Sequence, residues 1–213
     1  MILIALKPDI VEPVLTKNKH LITNDKIIIS IATGISIVLI EDYLGSKNSK
    51  VIRVMPNAFC SIKESSSVYC INSKITEEDE LVVQNLFKNL GLMNKVNENL
   101  INVFSGFSGA GPAYIYVFAE ALIDGALKNG VPYLMARDYA IQTLVGAVKL
   151  LDKQKDPYNM KYKITTPGGT TIAGINAMEK GKFRYTVMET ISQAKIKADQ
   201  IEDSKLKYLK PKF

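Results

Sequence analysis

Thr165-Thr166-Pro167-Gly168-Gly169-Thr170-Thr171 gathers hydroxyl groups, a proline and two glycines into one short run. Pro167 disfavours helix in the residue before it, and the glycines allow the backbone to turn tightly. Behind the turn, Ile172, Ile175 and Met178 recur at helical spacing, and Gly181 stops the pattern. Threonine hydroxyls and unpaired backbone N–H groups therefore meet at a helix N-terminus, where the helix dipole is positive. That arrangement suits an anion, and a small carboxylate fits it without any charged side chain. An ordinary N-capped helix after a turn has the same local sequence, and the motif alone favours that plainer reading.

Three other blocks change the balance: Ala5-Leu6-Lys7-Pro8, Arg53-Val54-Met55-Pro56-Asn57, and Ser105-Gly106-Phe107-Ser108-Gly109-Ala110-Gly111-Pro112-Ala113-Tyr114. The threonine-glycine run itself continues through Ile172-Ala173-Gly174-Ile175, Met178-Glu179 and Gly181-Lys182-Phe183-Arg184. Together the four blocks resemble the pyrroline-5-carboxylate reductases, in that family's order and over nearly the whole chain. The resemblance implies an oxidoreductase that reduces 1-pyrroline-5-carboxylate to L-proline, the last step of proline biosynthesis, with hydride from NADPH or NADH. Such a reaction needs a cyclic imine held under a nicotinamide, a fixed carboxylate and a proton source at nitrogen. Orientation does most of that work, and no nucleophile, base dyad or metal is required.

By the same resemblance, Thr171 is the catalytic candidate, its hydroxyl near the imine nitrogen. Thr166, Gly168, Gly169, Thr170 and Thr171 form the expected substrate-binding segment, with the N–H groups from Gly168 to Thr171 on the carboxylate. The expected cofactor contacts are Leu6, Lys7, Pro8, Ala32, Thr33, Asn57 and Pro112. Taken singly, each of these is more often a plain loop or capping residue. Two departures stand out: Thr166 replaces the serine of many members, and Ala58-Phe59 follows Asn57 in place of the usual Thr-Pro. The family also implies a homodimer, or an oligomer of dimers, with helices exchanged between subunits.

Composition sets the outer limits. The chain has 213 residues, 47% hydrophobic and 23% charged, enough for a buried core in one or two domains. Lys and Arg total 27 against 21 Asp and Glu, a net charge of +6 that suits anionic ligands and also plain solubility. No dense basic block interleaves with aromatics, so nucleic acid is not expected as a partner. Cys60, Cys70 and the single His20 lack metal-ligand spacing, and no metal is expected. Two cysteines without a secretory signal read as reduced thiols in the cytoplasm, and no run is long enough for a membrane span.

The elements that must position these groups change texture near residue 98. Apolar runs at 1–6, 26–31, 51–55, 67–71 and 92–96 read as strands, alternating with a loop or short helix after Pro8, a helix through Ile37, Ile40 and Leu44, and a Thr76-capped helix from Glu77. This is the pattern of a partial Rossmann-like parallel sheet, an α/β domain over residues 1–98. From 99 to 213 the pattern is all-α, a helical dimerisation and substrate-binding domain. Its helices run from Pro112 to Asn129-Gly130, from Pro132, from Thr170 to Lys180 and from about Lys182 to Asp203, ahead of a Lys-rich tail expected to fray.

The family's opening strand and G-x-G-x-x-G-like turn have no counterpart in this sequence, and Met1-Ile2-Leu3-Ile4-Ala5-Leu6 reads as a central strand with nothing before it. The expectation is a missing beginning of roughly 60 residues, two βα units. The competing reading is a non-catalytic dimerising fragment that co-assembles with a complete subunit.

Overall fold

The computed structural model describes residues 1–209; the expected fraying of the Lys-rich tail falls in part on residues 210–213, which lie outside them. Among the described residues β1 (Ile2–Ile4), β2 (Ile27–Ser30), β3 (Lys50–Met55), β4 (Ser65–Ile71) and β5 (Gly91–Lys95) lie side by side in chain order. They are interleaved with α1 (Pro8–Asn18), α2 (Ile37–Leu44) and α3 (Glu77–Phe87). The described elements that follow are helical: α4 (Ile101–Phe104), a π-helical turn at Ser105–Gly109, α5 (Gly111–Lys128), α6 (Tyr133–Gln154), α7 (Pro157–Lys163), α8 (Thr170–Lys180) and α9 (Phe183–Leu206).

β1, β2 and β3 run parallel, with Ile4 opposite Ser30 and Ile28 opposite Val51. β4 runs antiparallel to β3, so the expected parallel sheet is parallel in three of its four strand pairs. The physical reason is the connection. A parallel crossover needs about a dozen residues or more, usually with a helix, and the link from Pro56 to Glu64 is too short for one. The next link contains α3, and β5 is accordingly parallel to β4.

β2 is buried along its whole length, and its alternation sorts the core into two layers. Ile28 packs with Val11 and Leu15 of α1, Leu39 and Ile40 of α2, and Val51. Ile27 and Ile29 face the other way, with Ile52, Val54, Tyr69 and the α3 residues Val83 and Phe87. α3 begins in a capping box: Thr76 Oγ1 accepts from the Asp79 N–H at 3.2 Å, and Asp79 accepts from the Thr76 N–H at 3.0 Å.

The chain divides into two compact units, one of Met1–Pro112 with the chain from Thr190 onward, the other of Ala113–Glu189. The first holds the whole sheet. In the second, Ala136 and Ala140 are buried, while Tyr116, Val117, Leu134, Tyr139 and Val148 each have well over half their surface exposed.

Candidate functional site

In the first unit, parallel pairing brings the carboxyl ends of β1, β2 and β3 to one edge of the sheet, where open α/β sheets bind ligands. The candidate cofactor residues follow those ends. Lys7 is the exposed N-cap of α1, with Pro8 in the first turn, where its missing N–H costs nothing. Leu6 is 37% exposed beside it. In the neighbouring loop Thr33 is half-buried, while the Ala32 methyl is buried and its N–H donates to Ser30 Oγ at 3.3 Å. Gly34 holds a φ of +68° against α9, where a Cβ would strike Ile201. Pro112, another candidate, is buried.

Asn57 has the densest contacts on this edge. Its Oδ1 accepts from the Phe59 N–H at 3.1 Å, and its Nδ2 donates to Ser66 Oγ at 3.3 Å and to the Ser108 carbonyl at 3.1 Å. Its own N–H donates to Ser65 Oγ at 3.3 Å. The loop that carries Ala58-Phe59 is a short 3-10 turn, Ala58–Ile62, capped by Asn57.

In the second unit, α7 ends at Lys163 and the threonine-glycine run follows. The Gly169 N–H donates to the Thr166 carbonyl at 3.1 Å, and Gly168 sits at φ +69°. With Pro167 and Gly168 at the two central positions, this is the pattern of a type II β-turn. Gly169 is then the N-cap of α8, in extended backbone, with no side chain capping the helix. The first N–H groups of α8, at Thr170 and Thr171, have no intrahelical partner. Thr171 is half-buried and Thr166 exposed. The expected donor row from Gly168 to Thr171 is thus interrupted, because the turn occupies the Gly169 N–H. The candidate residues fall into two groups: the cofactor set in the first unit and the threonine-glycine set in the second.

Several residues around the sheet edge had no local signal in the sequence. Glu98 Oε1 accepts from the Ile37 N–H at 2.8 Å and from Arg53 Nη1 at 2.7 Å, and so caps α2. Ser36, the residue in the N-cap position, leaves that task undone. Asn102 Nδ2 donates to Asp199 at 3.0 Å and Glu202 at 2.8 Å, fastening α4 to α9. Burial pushes the Asp199 carboxyl up, but Lys195 and Asn102 outweigh it and the group ends below its ordinary value. On the opposite face of the sheet Tyr69 donates to Glu80 at 2.6 Å and accepts from Gln84 at 2.7 Å. Burial, then Glu80, raises the Tyr69 phenol above its ordinary value.

Residues 98–201 match the family model for pyrroline-5-carboxylate reductase dimerisation. The chain is 39% identical over 208 residues to pyrroline-5-carboxylate reductase 3 of Danio rerio, covering 97% of this chain and 72% of the relative. It is 37% identical over 195 residues to the pyrroline-5-carboxylate reductase of Pisum sativum, covering 91% and 71%. The chain belongs to the pyrroline-5-carboxylate reductase family. Among solved structures, the Plasmodium falciparum pyrroline carboxylate reductase with NADP bound superposes with a TM-score of 0.88 at 34% identity, over 94% of this chain and 76% of that one. The Streptococcus pyogenes 1-pyrroline-5-carboxylate reductase does so with a TM-score of 0.86 at 30% identity, over 93% and 75%. Pyrroline-5-carboxylate reductase is also the family that the four sequence blocks resembled, and the fold agrees: a mostly parallel sheet followed by helices.

Proposed function

We infer that the protein is an oxidoreductase that reduces 1-pyrroline-5-carboxylate to L-proline with NADPH or NADH. The observation that carries the reading to the site is the uncapped amino end of α8, delivered by the Thr166–Gly169 turn. The substrate is a cyclic imine bearing a carboxylate, and the N–H groups of Thr170 and Thr171 are donors of the right kind and charge for that carboxylate. Thr166 and the two glycines set the turn. Thr171 carries a hydroxyl on the same first turn, and we assign it the imine nitrogen, where it orients the ring and offers a hydrogen bond as the nitrogen gains its proton.

The edge formed by β1, β2 and β3 fits a nicotinamide dinucleotide. Lys7 is exposed at the amino end of α1, and Thr33 offers a hydroxyl in the adjacent loop. We assign the contacts to Leu6, Lys7, Pro8, Ala32, Thr33 and Pro112, with Ala32 and Pro112 acting through backbone because their side chains are buried. When bound, the nicotinamide supplies the hydride to the imine carbon; the protein supplies orientation and excludes water.

We place the dinucleotide-binding domain at 1–98 and the dimerisation and substrate domain at 99–213, supported by a family-model match that begins at residue 98; the compact units differ from these domains in taking 99–112 and the chain from Thr190 with the sheet. The working form is a homodimer. Cys60 and Cys70 are unpaired, in keeping with a reducing cytoplasm, and among the described residues no helix is long and apolar enough to cross a membrane. The test is direct: add 1-pyrroline-5-carboxylate to the protein with NADPH or NADH, follow cofactor oxidation and assay proline. Oxidation without proline, or no oxidation with either cofactor, overturns the reading.

A further inference from the structure

We propose that Asn57 is a positioning residue, a clasp that holds the Ser105–Gly109 turn against the end of β3. Both protons of its side-chain amide are committed. Oδ1 accepts from the Phe59 N–H, and the two Nδ2 protons go to Ser66 Oγ and to the Ser108 carbonyl, 51 residues away. An amide so engaged has no proton left for a ligand. The family resemblance put Asn57 in line for the cofactor; the geometry instead sets it to carry the segment that leads into Pro112. This inference rests on the reductase reading for its catalytic half only.

The turn needs such a fastening. Ser105–Gly109 is a single π-helical turn, closed by the Ala110 N–H on the Ser105 carbonyl at 2.9 Å, a rare backbone geometry. On one side Gly106 lies so close to α9 that a Cβ would stand 2.9 Å from the Ile191 carbonyl and the Lys195 N–H. On the other side Gly109 faces Met55, with a Cβ position 3.5 Å from the sulfur. Packing thus limits the turn at both ends, and the Asn57–Ser108 bond is a polar contact that ties the turn to the β3 loop. Pro112 is one of six assigned cofactor contacts and acts through backbone alone, while small displacements of groups that orient a reactant cost turnover steeply, so loosening this turn should lower kcat while changing cofactor affinity little.

Two substitutions separate the clasp from the cap. Asn57→Asp keeps an oxygen for the Phe59 N–H and removes the proton given to Ser108; Ser66→Ala removes only the other acceptor. Hydrogen–deuterium exchange on the ligand-free full chain should show the 105–110 peptide exchanging about three- to tenfold faster in Asn57→Asp, with β3 and β4 unchanged and Ser66→Ala like the parent. In the same proteins NADPH affinity should stay within about twofold and kcat for imine reduction should fall about tenfold or more in Asn57→Asp. Unchanged exchange at 105–110 overturns the clasp, whatever the activity. A tenfold loss of NADPH affinity without faster exchange would make Asn57 a cofactor ligand and overturn it too. Faster exchange with unaltered kcat removes the positioning role. A parent protein that fails to make proline would sink the reductase reading, and the exchange comparison would still decide the clasp.

Discussion

Arg53 Nη1 and Glu98 Oε1 meet at 2.7 Å, the guanidinium side chain 2% exposed and the carboxylate side chain 34%. The pair joins β3 to the segment before α4, and Glu98 also caps α2. Breaking a buried pair from one side leaves a charge in low dielectric and costs about 3–5 kcal/mol. Because a third of Glu98 is exposed, Glu98→Ala should lie near the lower end, about 3 kcal/mol by urea unfolding. Replacing both partners, as Arg53→Met with Glu98→Ala, should recover part of that loss, because no unpaired charge remains. A double variant as unstable as the sum of the singles would show that the pair is not coupled.

Asp79 provides a second, pH-dependent readout. Lys50, first, and then the Thr76 N–H hold its carboxyl below the ordinary 3.8. A depressed folded pKa means that the contribution is complete above the unfolded value and is lost as pH falls through the folded one. Asp79→Asn should therefore cost about 1 kcal/mol near neutrality, the usual worth of a cap, and progressively less below about pH 4. Thermal unfolding of both proteins across that range checks it. A gap that persists undiminished at about pH 2 would mean the carboxylate's charge is not what stabilises α3.

How far the sequence foretold this arrangement depends on the range of the interactions. Apolar runs located the strands to within a residue or two, and Thr76 announced the start of α3. Pro167 and Gly168 foretold the turn that precedes α8, since each residue type is suited to one position of a type II turn. The direction of β4 was legible only in the length of the Pro56–Glu64 link, because alternation is the same read either way. α7 was missed although Asp156-Pro157 has capping character, because its seven residues show no apolar period. Asn57 stood out in the sequence as a candidate, but its bond to Ser108, 51 residues away, had no local signal, and neither did Glu98, whose partner Arg53 is 45 residues away; only the fold brings these pairs together.

Thiol chemistry should distinguish the two cysteines. Cys70 is 3% exposed, and burial, assisted by Glu98, pushes its thiol up to about 12. Near pH 8 almost none of it is thiolate, the reactive form. A disulfide reagent should label the native Cys60→Ser variant hardly at all and label it fully once denaturant is added. Rapid labelling of that variant in buffer would show that β4 opens readily.

The helical unit should be unstable as a monomer. Ala113–Glu189 leaves Tyr116, Val117, Leu134, Tyr139 and Val148 largely uncovered, an apolar extent that isolated soluble domains rarely expose. Sedimentation equilibrium at micromolar concentration should therefore give a dimer or a multiple of it. A folded monomer under those conditions would contradict the homodimer assignment.

Thr171 gives the sharpest test of the substrate site. It sits on the first turn of α8 with no side-chain cap before it, so its backbone N–H and its hydroxyl are separable donors. Thr171→Val keeps the shape and the N–H but removes the hydroxyl. A hydrogen bond to a charged or polarising group is worth about 1.5–3 kcal/mol, so kcat/KM for 1-pyrroline-5-carboxylate should fall roughly 10- to 150-fold. If the hydroxyl serves the transition state at nitrogen, the loss appears mainly in kcat; if it only binds the ring, it appears in KM. Thr171→Ser restores the hydroxyl without the methyl and should retain most of the activity. Unchanged kinetics in Thr171→Val would leave Thr171 as an ordinary first-turn residue and shift the chemistry to the backbone donors of the turn.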